Sequence, residues 1–256
     1  MADLDIERTG PRRNPLAAVA LALALLAVLL LLLSGPGTRM GLWDFRMGFS
    51  LMRWAAYAGI AAVIAALLAM AVGRRHGIVI SGIALVLGAL AFLLPWNMAR
   101  GARAYPGIHD ITTDTRNPPA FVAVVPLRKD APNPPEYLGD SIAQIQQKAY
   151  PDLRPLMMAM PVDSAFANAV SVARDMGWEV VDQSRQDGRI EATATTPWFG
   201  FKDDVVVRVT SASGISRVDV RSKSRVGRGD VGANAKRIRD YLKRLRATDP
   251  QPVNAR

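Results

Sequence analysis

The sequence predicts an α+β protein: three N-terminal transmembrane helices, then a small antiparallel-sheet domain with its helices packed on one face. Two observations carry the prediction. Apolar residues pile up before residue 95 in three runs, and four short apolar/polar alternations follow one another between Trp178 and Ser222, bracketed by two stretches of helical spacing.

The first run, 16–33, is uninterrupted Leu, Ala and Val. At about 1.5 Å per residue it reaches roughly 27 Å, close to a hydrocarbon core. It reads as a retained anchor. A cleaved signal would have an apolar stretch of about 7–15 residues and a small-x-small site behind it. Asn14-Pro15 after Arg12-Arg13 also rules out a twin-arginine signal. The second and third spans, 51–72 and 78–94, are joined by Gly-Arg-Arg-His-Gly at 73–77. Small residues recur every fourth position at Ala58, Ala62 and Ala66 and again at Ala84 and Gly88, a spacing that lets helix backbones approach. Between the first two spans, GPGTRMGLWDFRMGF (35–49) sets Trp43, Phe45 and Phe49 beside arginines, as an interfacial segment would.

The arginines set an expected orientation. Arg8, Arg12, Arg13, Arg74 and Arg75 flank one side, against Arg39, Arg46 and Arg53 on the other. The richer side stays in the cytoplasm. With three crossings, the N-terminus is cytoplasmic and everything after Pro95 is periplasmic, in the inner membrane of a bacterial cell envelope.

The expected domains are therefore a membrane domain over 1–95, a Pro-rich extended strap over 96–161, an α+β domain over 162–247 and a disordered tail over 248–256. In the strap, Pro118-Pro119 and Pro132, Pro134 and Pro135 enforce extended chain, with a short helix near 141–149 and a strand at 121–127 (FVAVVPL). Asp163 is the expected N-cap of a helix running to Met176 and stopped by Gly177. Strands follow around Trp178–Val180, Ile190–Ala194, Val205–Val209 and Val218–Ser222, with turn signals at 186–188, 198–200 and 213–214. One face is apolar, and the other carries Glu179, Glu191, Arg208 and Asp219. A last helix over 231–246 turns Ile238, Leu242 and Leu245 toward the sheet.

IEATATTPWFGFKDDVVVRV (190–209) followed by VDVRSKSRVGRGDVGANAKRI (218–238) closely resembles the domain-of-unknown-function family 1499 in its longer form with N-terminal membrane spans. GTRMGLWDFRMGF (37–49), PGIHDITTDTRNPPAF (106–121) and QKAYPD (147–152) resemble that form too. Shorter members begin the domain with a Cys-Pro segment. Here HDITTDTRNPP takes its place, so no cysteine chemistry carries over. The order of helices and sheet also resembles a helix-grip fold, and neither resemblance implies an activity.

With no cysteine and two histidines, the composition excludes disulfides and thiolate metal sites, and no metal or cofactor is expected. A net charge of +10 would suggest nucleic acid in a soluble protein. Here the arginines flank apolar spans, which points to membrane lipid and excludes nucleic acid as a partner.

Three constellations remain. RSKSRVGRGDVGAN (221–234) reads as a turn into the last helix, capped by Asp230, with Arg221 or Arg225 pairing with Asp203 or Asp204. Its alternative reading is a contact site for an anion or a partner, made by Arg221, Arg225, Arg228 and Asn234. Asp203-Asp204 as an acid/base pair is disfavoured, because neighbours on a strand face opposite ways. His109-Asp110, with Asp114 nearby, is the other candidate for catalysis. Motifs for a serine hydrolase, a zinc protease or a phosphate loop are absent. The leading reading is a non-enzymatic membrane protein whose outer domain binds a membrane-protein or envelope-protein partner or an anionic envelope component. The rival is a cell-envelope hydrolase using His109/Asp110 or Asp203/Asp204.

Overall fold

The computed structural model describes residues 14–72 and 75–250. The chain divides into two units, residues 1–100 with 198–200, and residues 101–197 with 201–256.

The first unit is built from α1 (Pro15–Arg39), α2 (Phe45–Ala71) and α3 (Arg75–Ala102). Asn14 starts α1 by accepting from the N–H groups of Leu16 and Ala17, while its amide donates to the Ala69 carbonyl. All three helices are long and apolar enough to cross a membrane. Their packing is the reverse of a water-soluble bundle. Ala20, Ala24, Ala62, Ala66 and Ala84 form the buried cluster, whereas Leu25, Leu29, Leu32, Leu67 and Leu68 point outward. A Cβ at Gly59 would lie 2.6 Å from the Gly88 carbonyl oxygen, so only glycine lets α2 and α3 approach this closely. The arginines at 8, 12, 13 and 74 that set the expected orientation lie outside the described residues. The 35–49 segment is mostly helical rather than a separate interfacial stretch. α1 runs on to Arg39, Asp44 caps α2 through the N–H groups of Arg46 and Met47, and Gly41 reverses the chain at φ +74°.

The second unit is an antiparallel sheet with helices, so the protein is α+β overall. Its strands are β1 (Asp110–Thr112), β2 (Leu156–Met158), β3 (Glu179–Ser184), β4 (Arg189–Thr195), β5 (Lys202–Ala212) and β6 (Ile215–Ser224). Their order is β1-β6-β5-β4-β3, with β2 also pairing with β6. α5 (Val162–Asp175) and α6 (Ala233–Arg246) cover one face. The core there joins Phe166 and Ala169 of α5 and Ile238, Tyr241 and Leu245 of α6 to Ile190, Ala192, Val205, Val207, Val218 and Val220 of the sheet. Tyr241 stacks on Trp178 at 4.9 Å and donates to the Ala169 carbonyl. α5 has no side-chain cap, and Asp163 lies in its first turn, paired with Arg185.

The stretch read as a strap supplies β1, β2 and α4 (Asp140–Ala149). Residues 121–127 do not form the expected strand; they turn and enter a 3-10 helix at Pro126–Arg128. The reason is local. Glu191 on β4 takes the N–H groups of Val122, Ala123 and Val124, and no neighbouring strand competes for them. Asp249, in the stretch expected to be a tail, is buried and accepts from the Ala159 N–H.

Candidate functional site

VDVRSKSR (218–225) covers the end of β6 and the residue after it, and a period of two sends Asp219, Arg221, Lys223 and Arg225 to the face opposite α5 and α6. Thr193, Asp204, Lys223 and Asp110 sit side by side across four strands, with Glu191, Val206, Arg221 and Thr112 in the next row. An antiparallel sheet commonly leaves such a face to water. Here residues 113–137 lie over it: Asp110, Glu191, Asp204, Asp219, Arg221 and Lys223 are all at most 2% exposed.

Two buried clusters each set two cations on one carboxylate. Asp110 accepts a bidentate pair from Arg221 at 2.9 and 2.8 Å and lies 3.0 Å from the Lys223 Nζ. Asp204 accepts from Arg128 at 2.6 Å, from Arg225 at 2.9 and 2.8 Å and from the Thr193 hydroxyl. Each cluster therefore carries one uncompensated positive charge. Carbonyls of the covering segment take up further donors: Arg221 donates to those of Pro119 and Pro135, Lys223 to that of Glu136, and Arg128 to that of Asn133, while the buried Arg128 Nε finds no partner among the described residues. Proline-rich extended chain suits this role, because its carbonyls have no partner within the segment. Phe121 stacks under the Arg221 and Arg128 guanidinium groups. Burial lowers the Lys223 pKa, against the pull of Asp110. Burial and the nearby Asp110 charge raise the Tyr137 phenol to about 12.

The two candidate catalytic groups at 109 and 110 diverge. Asp110 turns into its ion pairs, while His109 Nδ1 lies 3.1 Å from the Arg228 carbonyl. Asp203 and Asp204 also point to opposite faces, Asp203 pairing with Arg237 of α6. The contact set proposed from the sequence is split as well. Arg221 and Asn234 are buried, Arg225 is held on Asp204, and Arg228 is exposed with no carboxylate partner among the described residues. Arg221 and Lys223 belong to β6 rather than to a turn. Asn234 ties the strand end to the helix, donating to the Ser224 hydroxyl and the His109 carbonyl and accepting from Ser222.

α6 starts at Ala233 with Gly232, at φ +77°, as its N-cap rather than Asp230; Asp230, two residues earlier, accepts from the N–H groups of Gly232 and Asn234 at 2.9 and 2.8 Å and so supports the start of the helix. Burial, opposed by those two bonds, holds its carboxyl above the usual range. Asp230→Ala should cost about 0.5–2 kcal/mol of stability and Asp230→Asn less, since asparagine still accepts from those N–H groups without a buried charge. Thermal melts of the two variants check this, and equal losses would contradict it.

The sequence alone gives Arg128 and Gln146 no role, and it places Glu191 only on the polar face of the sheet, not as the buried acceptor it is. Gln146 of α4 donates to the Thr112 carbonyl and accepts from the Thr112 N–H, completing the edge of β1. Only Glu191 carried a signal, as a charge inside an otherwise apolar strand. Among the described residues no acidic or histidine cluster could hold a metal ion.

Three apolar helices joined to an antiparallel sheet, with two helices on one face and a charged layer sealed on the other, define the class of the protein. Residues 110–245, more than half of the chain, match the family model described as Protein of unknown function (DUF1499), and the chain belongs to that family. The N-terminal apolar helices are consistent with its longer form. No curated protein matches the chain.

Proposed function

We propose that the protein is a membrane-anchored binding protein whose second unit stands in the periplasm and docks an envelope partner through unpaired surface cations. One observation carries this reading: the charges fall into two populations. Asp110 and Asp204, which a hydrolase would need free, are each engaged by two cations. Arg116, Arg154, Arg228, Lys243 and Arg246 are exposed with no carboxylate partner among the described residues. A carboxylate already neutralised by two cations is a poor general base, because protonating it forfeits both ion pairs. Exposed, uncompensated arginines attract anionic partners and speed their encounter. The periplasmic placement rests on the arginine asymmetry of the spans.

Two measurements test the proposal. An alkaline-phosphatase fusion after residue 110 should be active, and activity at 74–76 instead would reverse the topology. His109→Ala should complement a deletion strain as well as wild type does. Loss of complementation by that variant at normal protein level would favour the hydrolase.

A further inference from the structure

Two open depressions, about 390 and 440 Å³, meet at Arg154 and Pro155 and make one trough along the second unit. Thr113, Thr115, Arg116 and Gln147 line the first, and Leu156, Leu242, Lys243 and Arg246 line the second. The carboxylates facing the trough are already neutralised, Asp114 by Arg217 at 2.8 Å and Asp152 by Arg239 at 2.6 Å. Four cations are not: Arg116, Arg154, Lys243 and Arg246 are exposed and have no carboxylate partner among the described residues. Among those residues Arg154 gives only its Nε, to the Pro151 carbonyl, which leaves both terminal nitrogens of its guanidinium open where the depressions join. Hence the trough carries free positive charge in both halves, and its second half adds a small aliphatic floor, the half-buried Leu242 over the edges of the buried Leu153 and Leu156.

We infer that this trough binds an extended acidic peptide segment of a partner protein, with carboxylates on the four free cations and an apolar side chain on the leucine floor. The inference rests on the binding function proposed above and places it away from the 227–230 loop. Three features favour a peptide. A guanidinium with two free edge donors matches a carboxylate bidentately. A concave surface fits a chain better than it fits the plane of a bilayer. The aliphatic floor has nothing to do for a bare phosphate, whereas a peptide offers acidic and apolar side chains on one strand.

The test uses the full chain in nonionic detergent and a fluorescein-labelled peptide alternating Glu and Val, followed by anisotropy, with empty micelles as the blank. Binding should weaken with added salt, since exposed charge pairs are screened over about 8 Å at physiological ionic strength. It should be about tenfold weaker in both Arg154→Glu and Lys243→Glu, equivalent to about 1.4 kcal/mol, and unchanged in Lys129→Glu, an exposed cation that lines neither depression. If Arg154→Glu binds as wild type while Arg228→Glu loses the peptide, the trough is wrong and the binding function stands. Binding of inorganic phosphate or anionic vesicles with the same Arg154 dependence, in place of the peptide, would overturn the peptide as occupant. Should the wild-type chain ignore the peptide altogether, the trough inference falls, and the His109 experiment still decides the function.

Discussion

Asp110→Asn should lower the stability of the second unit by about 3–5 kcal/mol, because it leaves Arg221 and Lys223 buried without an anion. Lys223→Met should move stability by no more than about 1 kcal/mol in either direction. It removes the uncompensated ammonium, and a side chain of similar length fills the space. The double variant has the same single excess charge as wild type, so it should recover part of what Asp110→Asn loses. The pH dependence follows from the depressed Lys223 pKa. Between the folded value and 10.5 the unfolded chain holds the proton more tightly, so stability rises with pH across that window. Above pH 10 the raised Tyr137 acts in the opposite sense: the folded state keeps its phenolic proton up to about 12, and stability falls as pH climbs through that range. The rise below pH 10 should vanish in Lys223→Met. Thermal melts of the purified protein in detergent read all of this. Equal destabilisation by Asp110→Asn and Lys223→Met would show that the excess charge has no energetic consequence.

Glu191→Ala is expected to loosen the covering segment before it unfolds the sheet. The carboxylate is fully buried and accepts three consecutive backbone N–H groups at 2.9, 3.1 and 3.0 Å. Of these donors only the Val124 N–H is fully buried, and orphaning it costs about 1–3 kcal/mol; the part-buried Val122 and Ala123 N–H groups add less, and all of the loss falls at the contact between β4 and residues 122–124. Hydrogen exchange should therefore quicken at 122–124 and around Arg128, while the β4–β5–β6 ladder keeps its protection. Glu191→Gln should fall between, since its amide oxygen still accepts but carries no charge for Arg189, 2.9 Å away in the native chain. A uniform loss of protection across the sheet would mean that Glu191 supports the sheet itself rather than its cover.

Much of the architecture was legible in the sequence. The three spans, the strand order by chain, the turns at 186–188 and 213–214 and the apolar face of α6 each follow from a period or a turn residue acting within about a dozen positions. Asp230 was legible for the same reason, since its partners at Gly232 and Asn234 lie within four residues. The alternation in VDVRSKSR placed its charges on one face, and only the fold showed that this face is buried.

What the sequence by itself determined, then, is whatever depends on neighbours along the chain: apolar length, helical and strand periods, caps and turns. Tertiary structure alone decided the fate of the charges. Arg221 reaches Asp110 across 111 positions, Arg128 reaches Asp204 across 76, and Glu191 holds Val124 across 67. A proline-rich stretch looks the same in sequence whether it swings in water or lies on a sheet, because proline restricts its own backbone and says nothing about what its carbonyls meet. Burial makes the difference: away from water, every unpaired donor and charge must find a partner, so the carbonyls of Pro119, Pro135 and Glu136 become ligands for Arg221 and Lys223.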